Sequence, residues 1–156
     1  MLVRLGEEDW AIWRAARLAA LADSVEAFPN AAVNWTGGGE VRWRDRLLDA
    51  TALKIVAIGI HEDPVGLVRG VLDGDWAWLH SLWVRPDHRR NGLGGRLIAA
   101  VEDWARPTAA GVRLEVVPGN SSAIALYRGR GYVTTEMPGT PLTGHGRELV
   151  MEKVFS

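Results

Sequence analysis

The run Arg89-Arg90-Asn91-Gly92-Leu93-Gly94-Gly95 joins a stretch patterned as a strand to a stretch patterned as a helix. Before it, Trp76 to Val84 is apolar and aromatic, and Pro86 closes it. After it, Leu93, Leu97, Val101 and Trp104 recur at helical spacing until about Pro107. The N–H groups of a helix's first turn have no internal partner and carry partial positive charge, so they favour a phosphate. Glycine lets a ligand approach the backbone closely, and two arginines add charge-assisted contacts. The run therefore suits a pyrophosphate, although a tight turn with solvated arginines reads the same way. Two phosphate motifs do not fit. The Walker pattern needs Lys and then Ser or Thr where Gly95-Arg96 stand, and the GxGxxG fingerprint fails at Leu97.

The rest of the chain predicts how that run is framed. Leu2 to Leu5 reads as a first strand, and acidic Glu7-Glu8-Asp9 precedes a helix from Trp10 to Ala22. A second helix is predicted from Glu40 to Ala50, after Trp35-Thr36-Gly37-Gly38-Gly39. Leu53 to Ile60, Val65 to Leu72 and Trp76 to Val84 then read as an antiparallel meander. Val112 to Val117 is a further strand. Asn120 caps a helix to about Arg130, which Gly131 ends. Tyr132 to Met137 and Glu148 to Phe155 close the chain around a Pro/Gly-rich loop, Pro138 to Gly146. A helix crossover makes the strands ending at Val84 and Val117 parallel. The expectation is an α/β (α+β) fold: a mixed, mostly antiparallel sheet with about four helices, in one domain over residues 1–156.

Composition excludes several kinds of chemistry. The chain has no cysteine, so it has no disulfide, thiolate metal site or cysteine acyl-enzyme. A formal net charge of −1 points to neither nucleic acid nor an anionic membrane. No run reaches the roughly 18 apolar residues of a membrane span, and no leader is evident, so a cytoplasmic protein is expected. No metal is expected.

Two segments carry a family resemblance. Arg89-x-x-Gly92-x-Gly94 after Leu82-Trp83-Val84-Arg85-Pro86 resembles the acetyl-CoA signature of GNAT acetyltransferases. Asn120-x-x-Ala123-x-x-Leu126-Tyr127-x-x-x-Gly131-Tyr132 is similar to that family's later motif, in the same order and spacing. The resemblance implies direct transfer of an acetyl group from acetyl-CoA to a primary amine. It implies that the main chain of Leu82, Trp83 and Val84 meets the pantetheine arm beside a bulged strand. An N–H at Val84 would then steady the oxyanion. It places the pyrophosphate on Arg89, Arg90, Asn91, Gly92, Leu93, Gly94 and Gly95. Asn120 would approach the pantetheine arm, cap its helix, or do both. Tyr127 would donate a proton to the departing thiolate, or only pack and hydrogen-bond the sulfur.

The general base departs from the family's better-studied pattern. Trp78 stands where many members carry a glutamate, and an indole accepts no proton. His80, expected on the same strand face as Trp78 and Leu82, is one candidate, and Glu115 acting through water is another. Ordered water without a dedicated base is the third. The resemblance puts the acceptor between residues 23–39 and 138–146, with Phe28, Trp35 and Trp78 as aromatic surface for a small amine or a peptide N-terminus. A homodimer is compatible with the family. The competing reading is a catalytically silent acyl-CoA-binding module.

Overall fold

The structure is a computed structural model and describes residues 1–23 and 52–156. The helix expected at Glu40–Ala50 and the residues Phe28 and Trp35 lie outside that description. In chain order the described elements are β1 (Leu2–Arg4), α1 (Trp10–Asp23), β2 (Ala52–Ile58), β3 (Pro64–Asp73) and β4 (Trp76–Val84). They continue with α2 (Leu93–Ala105), β5 (Gly111–Val116), α3 (Ser121–Gly129), β6 (Val133–Pro141) and β7 (Arg147–Val154). The strands form one sheet in the order β1-β2-β3-β4-β5-β7-β6. Every neighbouring pair is antiparallel except β4 and β5, as the helix crossover requires.

Alternation along the strands sorts the apolar residues onto two faces. On β2, Ile55 and Ala57 join one buried cluster and Val56 joins the other, because successive side chains point to opposite sides. The larger cluster packs Leu93, Leu97, Ile98 and Val101 of α2, with Tyr127 of α3, against Val68, Leu79, Leu114 and Met151. The smaller one packs Trp13, Ala16 and Ala20 of α1 against Val56, Leu67 and Trp83. Thus α1 covers one face, and α2 and α3 cover the other. Glycine lets α2 lie close on β3: a Cβ at Gly70 would stand 2.9 Å from the Trp104 ring.

One buried charge ties this frame together. Glu102 of α2, with its side chain only 3% exposed, accepts from Arg130, Lys153 and the Tyr132 hydroxyl, each at 3.0 Å. Burial pushes its carboxyl up, but the hydrogen bonds from Arg130, Lys153 and Tyr132 together hold it below its ordinary value.

Two sequence expectations shift. Strand β6 runs on to Pro141, into the stretch expected to be a loop, with breaks in register between Thr134 and Pro138 and between Pro138 and Pro141. Prolines lack a donor, but β6 is the sheet's last strand, where one side of the ladder has no partner to satisfy. The second difference is one of phase in β4 and bears on the site. Among the described residues, no helix is long and apolar enough to cross a membrane.

Candidate active site

Strands β4 and β5 begin as a parallel pair and then part. Their pairing runs from Trp76–Gly111 to Leu79–Leu114 and goes no further. At the same level β4 carries an extra residue against β3. Leu67 faces Trp83 and Arg69 faces His80, so two steps on β3 match three on β4. Ser81 takes up the surplus with φ 62°, a left-handed conformation that bends the strand.

The bulge reverses the side-chain phase. Ala77 and Leu79 face the α2 side before it, while Leu82 and Val84 face that side after it. His80 therefore shares a face with Trp78 but not with Leu82, contrary to the simple alternation expected from sequence. That face belongs to α1, and the charges of Arg69, Glu115 and Arg17 act on His80 there.

The far end of β4 presents its main chain to the gap. The Arg85 N–H donates to the Val65 carbonyl at 2.8 Å, so Arg85 turns its backbone toward β3. Neighbouring residues in a strand turn theirs to the opposite edge, which aims the Val84 N–H and C=O toward the β5 side. The Val84 carbonyl accepts from Arg89 Nε at 2.8 Å there, which confirms the direction.

The gap opens into a groove of about 890 Å³ that reaches the start of α2. Leu82, Trp83 and Val84 form one wall, Val117, Asn120 and Leu126 another, and the loop with Arg89, Arg90, Gly92, Gly94 and Gly95 the third. Gly92 caps α2 with φ 85°. Asn91 and Leu93 are occupied with each other, the Leu93 N–H donating to Asn91 Oδ1 at 3.2 Å. The N–H groups of Gly94 and Gly95 have no hydrogen-bond partner among the described residues. A Cβ at Gly94 would lie 3.0 Å from Leu126 and 3.7 Å from Val84, so a side chain there would fill the cradle. The open strand edge, the two N–H groups and the arginine-bearing rim fit a long chain ending in a pyrophosphate.

The other sequence candidates fall into two groups. Asn120 accepts from the Ala123 N–H at 3.3 Å, so it caps α3 while it lines the groove. Tyr127 is not in the groove lining: it packs in the larger core cluster at 5% exposure, its ring centroid 5.9 Å from that of Tyr132. Burial pushes its phenol well above the ordinary range. His80, Trp78 and Glu115 instead occupy the α1 face beside the fork. Burial first, then the charge of Arg69, lowers His80 to about 4. Glu115 accepts the Thr140 N–H at 2.7 Å and the Thr140 hydroxyl at 2.9 Å.

Sequence reasoning missed Asp23 at the end of α1. Its Oδ2 accepts from Trp83 Nε1 and from Arg89 Nη2, both at 2.9 Å. No local pattern signals this, because the partners stand some 60 residues apart in sequence. The bulge implied by the resemblance falls on Ser81, a position not named from sequence, since serine carries no bulge signal.

Comparison with known proteins agrees with this geometry. The family model described as acetyltransferase (GNAT) family matches residues 17–132. The chain is 32% identical over 106 residues to the L-methionine sulfoximine/L-methionine sulfone acetyltransferase of Pseudomonas paraeruginosa, covering 61% of this chain and 62% of that protein. It thus spans about three fifths of the length of the curated relatives it matches. Among solved structures, an acetyltransferase of the GNAT family from Streptococcus pneumoniae superposes with TM-score 0.77 at 17% identity, covering 99% of each chain. The PaiA N-acetyltransferase of Thermoplasma acidophilum, in complex with coenzyme A, gives TM-score 0.73 at 16% identity, again over 99% of each. These two likenesses establish the fold, and the family match covers most of the chain: the protein belongs to the acetyltransferase (GNAT) family.

Proposed function

We propose that this protein transfers the acetyl group of acetyl-CoA directly to a primary amine, in one domain spanning residues 1–156. The observation that carries this reading is the fork: the freed edge of β4 at Val84 and the first turn of α2 open into one groove. Gly94 and Gly95 would hold the pyrophosphate through their N–H groups, with Arg90 beside them. The backbone of Leu82, which faces the same edge as that of Val84, would pair with the pantetheine arm, while the Trp83 backbone is turned to β3. Asn120 would meet that arm while capping α3.

The chemistry then draws on the groups at the fork and on the buried Tyr127 of α3, next in sequence to the groove-lining Leu126. The amine nitrogen attacks the thioester carbonyl carbon, and the C–N bond forms as the C–S bond breaks. The Val84 N–H donates to the carbonyl oxygen as negative charge builds on it. Tyr127, kept protonated by burial, donates to the departing sulfur. The amine's proton leaves on the α1 face. His80 at about pKa 4 is a weak proton acceptor at neutral pH, and Glu115 is already engaged by Thr140. These two facts favour release to ordered water over a dedicated base.

For the acceptor, the Pseudomonas relative acts, by its name, on L-methionine sulfoximine and L-methionine sulfone. We take an α-amino acid as the first acceptor class to examine. Use of acetyl-CoA fits a cytoplasmic setting. The reading is tested by following release of the CoA thiol across a panel of amines and amino acids that includes L-methionine sulfoximine. Turnover on at least one primary amine is expected, and CoA binding without turnover on any of them would favour the silent module.

A further inference from the structure

We infer that Asp23 and Arg89 form a clamp that positions the Val84 backbone for catalysis, and that Arg89 serves in it rather than as a ligand of the pyrophosphate. The inference rests on the proposed role of the Val84 N–H. Arg89 stands in the loop, where a phosphate-binding arginine is expected, but its guanidinium turns back onto β4. Nε donates to the Val84 carbonyl at 2.8 Å, and Nη2 donates to Asp23 Oδ2 at 2.9 Å. The same Asp23 oxygen accepts from the Trp83 indole at 2.9 Å.

Each contact removes one freedom from the strand end. The peptide joining Val84 to Arg85 is held on both sides, its N–H by Val65 and its C=O by Arg89. Trp83, buried on the α1 face, is held by its ring nitrogen. Val84 sits between these anchors, just past the bulge at Ser81, where no pairing with β5 steadies the strand. A planar guanidinium can hold a carbonyl and a carboxylate at fixed spacing, which an ammonium cannot. An oxyanion donor gains its value from being aimed before the reaction starts, so the clamp acts on rate more than on binding. Arg89 is 48% exposed, and an ion pair so open to water adds little to folding.

The discriminating variants are Arg89→Met, Asp23→Ala and Asp23→Asn, the last keeping an acceptor oxygen for both donors. Two readouts need no known acceptor. One is calorimetric affinity for CoA. The other is the carbonyl stretch of bound acetyl-CoA labelled with carbon-13 at the acetyl carbonyl, whose red shift from the free value reports the Val84 hydrogen bond. For Arg89→Met we expect CoA affinity within about threefold of wild type and loss of most of the red shift. Asp23→Ala should lose as much, Asp23→Asn should keep most of it, and the Arg89→Met/Asp23→Ala double variant should lose no more than either single one. A large, salt-dependent loss of CoA affinity in Arg89→Met with the red shift intact would overturn the clamp and return Arg89 to the phosphate. No red shift in the wild type, despite CoA binding, would overturn the Val84 role and the clamp with it. No CoA binding by the wild type would overturn the functional reading as a whole.

Discussion

Thr140 holds Glu115 twice, its N–H at 2.7 Å and its hydroxyl at 2.9 Å from the two carboxylate oxygens. Glu115 therefore serves to seat the β6 segment on the sheet face. Glu115→Gln keeps one acceptor oxygen and is expected to lower kcat/KM by less than about tenfold, measured by thiol release. A loss in the range of ~100- to 10,000-fold, typical of a general base, would restore Glu115 to that role.

His80 gives a pH dependence of stability whose sign is fixed. Burial lowers its folded-state value to about 4 from an ordinary 6.5. Between those values the unfolded chain binds the proton and the folded chain does not. The contribution is complete above pH 6.5 and declines as pH falls toward 4, by up to about 1.4 kcal/mol per pH unit. Urea unfolding of wild type and His80→Gln across that window should show the slope in the first and its reduction in the second.

Gly94 tests the groove in a protein that still folds. The space a Cβ would take there is bounded by Leu126 and Val84 at the groove wall. Gly94→Val is expected to weaken CoA binding at least ~100-fold, about 2.7 kcal/mol, in a protein that still folds but melts lower, because Leu126 must give way. Gly92→Ala should act through the backbone instead. Its φ of 85° costs a side chain about 1–2 kcal/mol, so this variant loses stability even without ligand.

Tyr127→Phe removes only the hydroxyl from a ring that is 5% exposed. Its expected effect is a fall in kcat of roughly 100-fold, within the range of general acid catalysis, at unchanged CoA affinity. Because burial raises the phenol, no loss of activity below pH 10 should trace to its ionisation.

Glu102 is the test of the frame. Glu102→Ala leaves Arg130, Lys153 and Tyr132 without their shared acceptor, and about 3 kcal/mol of stability should be lost in chemical denaturation. With its folded-state value held low, the wild-type contribution is present above about pH 4.3 and is lost as pH falls below it.

The fold was legible in local pattern and the groove only through the family resemblance; the contacts that refine the site were not legible. Period-3.6 spacing from Leu93 and the turn at Asp73-Gly74 place α2 and the meander, and the crossover makes β4 and β5 parallel. The resemblance implied a bulge in β4, but its place at Ser81 was hidden, because it depends on register with β3 and not on the serine itself. Hence His80 and Leu82 were expected on one face and lie on two. The extension of β6 through Pro138 was hidden for a related reason: proline is tolerated there only because the strand is at the sheet edge. Asp23 and Thr140 reach Arg89 and Glu115 from far along the chain.

Calorimetric titration of the protein with acetyl-CoA decides whether the groove between β4 and β5 is a CoA site. The wild type should bind saturably and one-to-one, with Gly94→Val folded and binding at least ~100-fold more weakly. Absence of binding by the wild type, or equal affinity in the folded Gly94→Val variant, would contradict the assignment of the groove between β4 and β5.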